Sequence, residues 1–138
     1  MDIVLFACVH NAGRSQMAAA WFNRLTDPAK ARAISAGTQP VHRVHPEVVQ
    51  VMREAGIDLD GAKPQLLTED LARQATLLVT MGCGDACPFV PGLTKIDWEL
   101  RDPQGQSIVV VRQIRDQIRH LVSQLAAERN WTQPTQQA

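Results

Sequence analysis

Cys8 ends an apolar run, Ile3-Val4-Leu5-Phe6-Ala7, and Arg14-Ser15 open a stretch of helical periodicity after a five-residue gap. The order strand, tight loop, helix matters because a helix amino-terminus presents unpaired backbone N–H groups and the positive end of its dipole. A loop wrapped over that terminus can cradle a tetrahedral oxyanion. In Cys8-Val9-His10-Asn11-Ala12-Gly13-Arg14-Ser15 each residue type has a use there. Gly13 permits a close backbone approach or a positive φ. Arg14 can grip two oxygens through its planar fork. Asn11 can brace the loop with its amide. Donors that hold an anion also favour a thiolate at Cys8, and Ser15 stands where it can donate one more hydrogen bond to the sulfur. The result is a nucleophile activated by its surroundings, with no adjacent base required. An incidental cysteine in a strand–turn–helix is the alternative. The spacing, the glycine, the serine and the context together argue against it.

A second group lies in Met81-Gly82-Cys83-Gly84-Asp85-Ala86-Cys87-Pro88. Cysteines four apart can meet across one helical turn. They can also close a small disulfide loop if the backbone adjusts to disulfide geometry, which the flanking glycines ease. Two other readings stay open: a pair of metal ligands, for which the remaining ligands are missing from the pattern, and two inert buried thiols. Asp102-Pro103 is a third candidate. A carboxylic acid over the cradle could protonate a leaving oxygen, but Asp-Pro is also common in turns, and locally the turn reading is the stronger.

The elements that must position these residues follow from periodicity. Ile3–Ala7 reads as a buried strand and Ser15–Leu25 as a helix with Met17, Ala18, Trp21, Phe22 and Leu25 on one face. Ala31–Ala36 is a second strand ended by Gly37. Pro46 suits a first helical position, and that helix ends at Gly56. Thr68 can cap a short helix. Leu77–Thr80 and Thr94–Trp98 are further strands. Ile108 to about Glu128 is a long amphipathic helix facing inward through Val111, Ile114, Ile118, Leu121, Val122 and Leu125. Strands alternating with helices predict an α/β domain with a parallel sheet, which binds ligands beyond the carboxyl ends of its strands. The loops after Ala7, Thr80 and Trp98 should therefore meet, and they hold all three cysteines and Asp102. A single domain over 1–129 and a frayed Gln- and Thr-rich tail over 130–138 are expected.

The bulk composition restricts partners. The chain has 138 residues, 45% hydrophobic and 20% charged, with formal net charge +0. No basic excess recruits nucleic acid or anionic lipid, and no apolar run is long enough for a bilayer. Met1-Asp2 lacks the basic start of a signal peptide. A cytoplasmic monomer is expected, where three cysteines are not a structural disulfide framework.

The motifs resemble those of a known family. Cys8 through Arg14-Ser15 is similar to the Cys-x5-Arg-Ser loop of low-molecular-weight protein tyrosine phosphatases. Gln16-Met17-Ala18 resembles the arsenate reductase branch of that fold, and the likeness continues through Ser35-Ala36-Gly37, Val79-Thr80-Met81 and Asp102-Pro103. It implies a four-stranded parallel sheet flanked by helices, Cys8 as the attacking residue and Asp102 as proton donor. Resemblance to the thioredoxin-coupled members implies a three-thiol relay. Cys8 takes arsenate, Cys83 attacks Cys8 to release arsenite, Cys87 attacks Cys83, and thioredoxin reduces the Cys83–Cys87 disulfide. Phosphate and sulfate would compete in the cradle; no cofactor and no metal are implied.

Four departures from the family pattern stand out. The cysteine pair is closer spaced than in the best-known members. Gly13 replaces a frequent second cysteine. Ala19 stands where some relatives bind potassium through an acid. Gln104 follows Asp102-Pro103 where tyrosine phosphatases carry an aromatic, and the chain has no tyrosine at all. A small inorganic oxyanion suits so open a site better than a phenyl phosphate. Two alternatives remain: a phosphatase using Cys8, Arg14 and Asp102, and a non-enzymatic redox sensor or oxyanion binder.

Overall fold

The computed structural model describes residues 1–82 and 91–133. The elements run β1 Asp2–Cys8, α1 Arg14–Leu25, β2 Ala31–Gly37, α2 Pro46–Glu54, α3 Glu69–Arg73, β3 Leu77–Thr80, β4 Thr94–Asp97 and α4 Ile108–Glu128. The four strands form one sheet in the order β2-β1-β3-β4, and every pairing is parallel. The sheet and its flanking helices are those expected. β1 is central because it is the most apolar strand, buried from Val4 to Cys8. β4 is an edge strand, and its exposed Lys95 is the kind of residue that discourages further pairing.

Alternation along β1 divides the core between two faces. Val4, Phe6 and Cys8 point into the larger cluster, which holds Met17 and Phe22 of α1, Val48, Val51 and Met52 of α2, and Val111, Ile118 and Val122 of α4. Leu5 and Ala7 point the other way, against Leu67, Ala72 and Leu78. Phe6 anchors the larger face, with Phe22 edge-on at 5.8 Å and Trp98 at 5.7 Å between ring centroids. Trp98 is therefore a packing aromatic.

Helix boundaries follow local chemistry. Pro46 opens α2. Thr68 caps α3 by accepting from the Leu71 amide at 3.1 Å. Ser107 caps α4 by accepting from Val110 N–H at 3.4 Å. The chain does not fray directly after α4. Trp131 is 6% exposed and meets Phe22 edge-on at 5.6 Å. Its carbonyl accepts from Asp27 N–H at 2.8 Å, and Thr132 bridges to Thr26. The packed chain thus extends through Gln133, whose amide donates to the carbonyls of Arg24 and Thr26. One large aromatic has enough area to hold a polar segment down, so the expected boundary at 129 falls too early. No described helix is long and apolar enough to cross a membrane.

Candidate active site

The strand order reverses at β1, with β2 on one side and β3 on the other, so the crevice of this sheet lies beyond the carboxyl end of β1. Cys8 is the last residue of β1 and α1 begins at Arg14, leaving a tight loop between them. Cys8 is a free, buried thiol. The first turn of α1, Arg14-Ser15-Gln16-Met17, carries no acidic residue, so nothing there offsets the positive end of the dipole.

The loop's shape comes from its outward-facing carbonyls. Cys8 O accepts from Thr38 N–H at 3.2 Å, Val9 O from Gln39 N–H at 2.8 Å, His10 O from Val41 N–H at 3.3 Å, and Ala12 O from His45 N–H at 3.0 Å. Across a trans peptide the N–H points opposite to the C=O. Fixing these four carbonyls against the segment after β2 therefore turns the amides of Val9, His10, Asn11 and Gly13 toward the inside of the curve. This scaffold from residues 38–45 was invisible to sequence reasoning, because backbone bonds carry no side-chain signature. Gly37 was the one clue. A Cβ there would lie 2.5 Å from Val9 O and 2.9 Å from Asn11 N.

Asn11 braces the loop, and more completely than expected. It is buried, and its φ of 51° is left-handed, a region that Asn tolerates better than most residues. Its amide nitrogen donates to Ser15 Oγ at 2.7 Å, and its Oδ1 accepts from the Gln65 N–H at 2.9 Å. Gln16 Nε2 donates to the Asn11 carbonyl at 3.0 Å. Ser15 Oγ lies 2.9 Å from Cys8 Sγ. The Asn11 amide can only donate to Ser15, so the Ser15 hydroxyl hydrogen is left free to turn to the sulfur.

Arg14 is 9% exposed. Its Nη1 donates to the Leu100 carbonyl at 3.3 Å, and its Nη2 lies 3.7 Å from Asp102 Oδ2. Gly82 covers it from the β3 side; a Cβ on Gly82 would sit 2.6 Å from Nη1. Asp102 itself is about half exposed. Its other oxygen, Oδ1, accepts from Gln104 N–H at 3.0 Å, which is the turn interaction the Asp-Pro pair suggested. The two readings of Asp102 are thus compatible, one for each carboxylate oxygen.

The loops after β1 and β4 therefore meet, and Gly82 brings the start of the loop after β3 against them. Cys83 and Cys87 lie outside the described residues. Gly13 differs from one expectation: its φ is −139°, so the loop's left-handed residue is Asn11. Among the described residues no group of three or more His, Cys, Asp or Glu side chains is placed to hold a metal.

This fold and loop define a class. The sequence profile of the low molecular weight phosphotyrosine protein phosphatase family matches residues 3–134, and the chain belongs to that family. Within it, the chain is similar to proteins named for arsenate reduction. A Halobacterium salinarum protein, provisionally named an arsenate reductase, is 39% identical over 131 residues, covering 91% of each chain. The glutaredoxin arsenate reductase of Synechocystis is 34% identical over 131 residues, covering 93% of this chain and 98% of that one. The thioredoxin-dependent arsenate reductase of Corynebacterium glutamicum superposes with a TM-score of 0.76 at 37% identity. That match covers 93% of this chain but 63% of the longer protein.

Proposed function

We propose that this protein reduces arsenate to arsenite, with Cys8 as the nucleophile. The observation that carries the reading is the Cys8–Ser15–Asn11 relay of hydrogen bonds inside a loop whose carbonyls are tied outward. A sulfur held this way is poised to attack an anion cradled by the amides of Val9 to Ser15 and the Arg14 guanidinium.

The steps balance without a prosthetic group. The Cys8 thiolate attacks arsenic and expels one oxygen as water, with a proton supplied from Asp102. Cys83 then attacks Cys8 sulfur. The S–As bond breaks, its electron pair stays on arsenic, and As(V) leaves as As(III) while a Cys8–Cys83 disulfide forms. Cys87 attacks Cys83, which frees Cys8 and moves the disulfide to Cys83–Cys87. An external dithiol protein reduces it by the same exchange chemistry. The relay needs a compartment that keeps all three thiols reduced, the cytoplasm. Likeness to both thioredoxin- and glutaredoxin-named relatives supports a dithiol partner of the thioredoxin superfamily. We assign thioredoxin on the cysteine pair followed by Pro88.

The test is arsenate-dependent NADPH consumption with thioredoxin and its reductase, and separately with glutaredoxin and glutathione. Wild type should turn over with thioredoxin. Cys8→Ala should abolish turnover, and Cys83→Ala and Cys87→Ala should each stop multiple turnover. Normal cycling by Cys87→Ala would show that the three-thiol relay is wrong. Turnover with glutaredoxin alone changes the partner. No reduction with either, but rapid ester hydrolysis, makes the protein a phosphatase using Cys8, Arg14 and Asp102. Neither activity leaves a redox sensor or oxyanion binder.

A further inference from the structure

Gly13 supplies neither a left-handed turn nor a helix cap from its side chain. What it supplies is space. A Cβ built on Gly13 would lie 2.7 Å from Pro103 Cγ and 3.4 Å from Pro103 Cδ. The first distance is well inside van der Waals contact, so any side chain at 13 must push the proline away. Pro103 is buried, although Asp102 and Gln104 on either side are exposed. The proline ring is therefore the foot on which this loop stands, and it stands on the backbone of Gly13.

That contact bears on Asp102. The proline ring restricts its own φ and the conformation of the residue before it. The Asp102 Oδ1 bond to Gln104 N–H fixes the carboxylate relative to the same turn. With the turn seated, the remaining oxygen reaches to 3.7 Å from Arg14 Nη2. Gly13 and Arg14 are adjacent, so one short stretch of backbone carries both the foot's seat and the guanidinium that faces the acid. Room around the seat is limited: His45 Cδ2 is 3.7 Å from the same built Cβ.

We propose that Gly13 is a positioning residue: its missing side chain lets Pro103 seat on the anion loop, and that seat sets the distance of Asp102 from Arg14 and the cradle. The proposal rests on the reading of Asp102 as proton donor. It explains why a residue other than glycine at this point of the loop would need a different approach of the Asp102 loop.

The experiment compares wild type, Gly13→Ala, Pro103→Ala, the double variant and Asp102→Asn in arsenate turnover. Loss of a general acid costs about 10²- to 10⁴-fold, so a displaced one should lower the kcat of Gly13→Ala by at least about tenfold. KM for arsenate should change by less than about threefold, because the cradle amides remain in place. The limb of the pH–rate profile that Asp102→Asn removes should weaken in Gly13→Ala as well. Pro103→Ala removes the colliding atoms, so the double variant should recover to within about twofold of Pro103→Ala alone, a non-additive pair. A double variant slower than Pro103→Ala by the same factor that separates Gly13→Ala from wild type overturns the proposal, and so does an unchanged kcat in Gly13→Ala. Should Gly13→Ala not fold, recovery of fold and turnover in the double variant supports the proposal, and continued loss overturns it. A crystal structure of the folded Gly13→Ala or, failing that, of the double variant separates this proposal from the functional one. Asp102 moved away from Arg14 in Gly13→Ala, or back beside it in the double variant, supports the seat even if wild type reduces no arsenate. Asp102 unmoved in Gly13→Ala, or still displaced in the double variant, overturns it whatever the activity.

Discussion

Removing the Ser15 hydroxyl tests whether its contact with the sulfur raises the reactivity of Cys8. Ser15 and Cys8 are both buried, with Oγ 2.9 Å from Sγ, and Asn11 Nδ2 donates to the same oxygen at 2.7 Å. Because the amide can only donate to Ser15, the hydroxyl proton is free to turn to the sulfur. A hydrogen bond to a charged acceptor is worth about 1.5–3 kcal/mol, and about 1.4 kcal/mol corresponds to a factor of ten. Ser15→Ala should therefore slow the reaction of Cys8 with an alkylating agent by about 10- to 100-fold. The side effect is a buried Asn11 amide with one proton unpaired, which costs roughly 1–3 kcal/mol of stability.

The assay is the rate of iodoacetamide alkylation of Cys8, followed on the Cys8 peptide by mass spectrometry. That readout separates it from Cys83 and Cys87. Stability is measured in parallel by urea unfolding, so that a slower rate is compared only where both proteins are folded. Alkylation of Ser15→Ala within twofold of wild type across the pH range would refute the argument. It would mean that the backbone amides alone hold the sulfur and that the Ser15 proton points elsewhere.

Three other outcomes are expected. Gly82→Ala places a Cβ 2.6 Å from Arg14 Nη1 on a residue with φ +95°, and the backbone alone costs about 1–2 kcal/mol. With Arg14 displaced, KM for arsenate should rise about tenfold, the loss of one charge-assisted bond; an unchanged KM would deny Gly82 that role. Trp131→Ala should destabilise the fold by about 3–5 kcal/mol in urea unfolding, because the indole is 6% exposed against Phe22. A loss below about 1 kcal/mol would return the segment to a loosely held tail. The third concerns acid. Arg112 donates to both carboxylate oxygens of Glu54, at 2.9 and 2.8 Å, and this holds the Glu54 carboxyl below its ordinary value of 4.5, with the nearby Arg112 and Arg115 charges adding to the effect. A lowered carboxylate contributes stability above its unfolded value and loses it as pH falls through the folded one. The Tm gap between wild type and Glu54→Gln should thus be present at neutral pH and shrink once pH drops below 4.5. A gap unchanged down to about pH 2 would contradict the linkage.

What the sequence revealed divides along physical lines. β1, α1 and α4 were legible because burial imposes a period on side chains, and Val4–Cys8, Met17–Phe22 and Val111–Leu125 carry that period openly. The loop from Cys8 to Ser15 stood out because its residue types have few other reasons to occur together. Trp131 was a signal passed over, since one indole outweighs its Gln- and Thr-rich surroundings. Of the two uses open to Gly13, close approach and positive φ, the structure takes the first. Glycine is the usual bearer of positive φ, yet Asn11 takes it, with its carbonyl, its Oδ1 and its amide all bonded. Nothing local distinguishes a glycine needed for its φ from one needed for its emptiness. The difference is set by Pro103, which lies far along the chain.

Asp102 shows why local reasoning produced a false choice. In sequence, Asp-Pro is either a turn or an acid over the cradle, because one residue is read as having one role. A carboxylate has two oxygens, and here Oδ1 closes the turn with Gln104 N–H while Oδ2 faces Arg14. The turn is then a precondition of where Oδ2 lies. Asp102→Asn could keep the turn through its own carbonyl oxygen while removing the proton. A loss of turnover in that variant, with unfolding stability within about 0.5 kcal/mol of wild type, would separate the two roles. A large loss of both would mean that the charge facing Arg14 is itself part of what holds the loop.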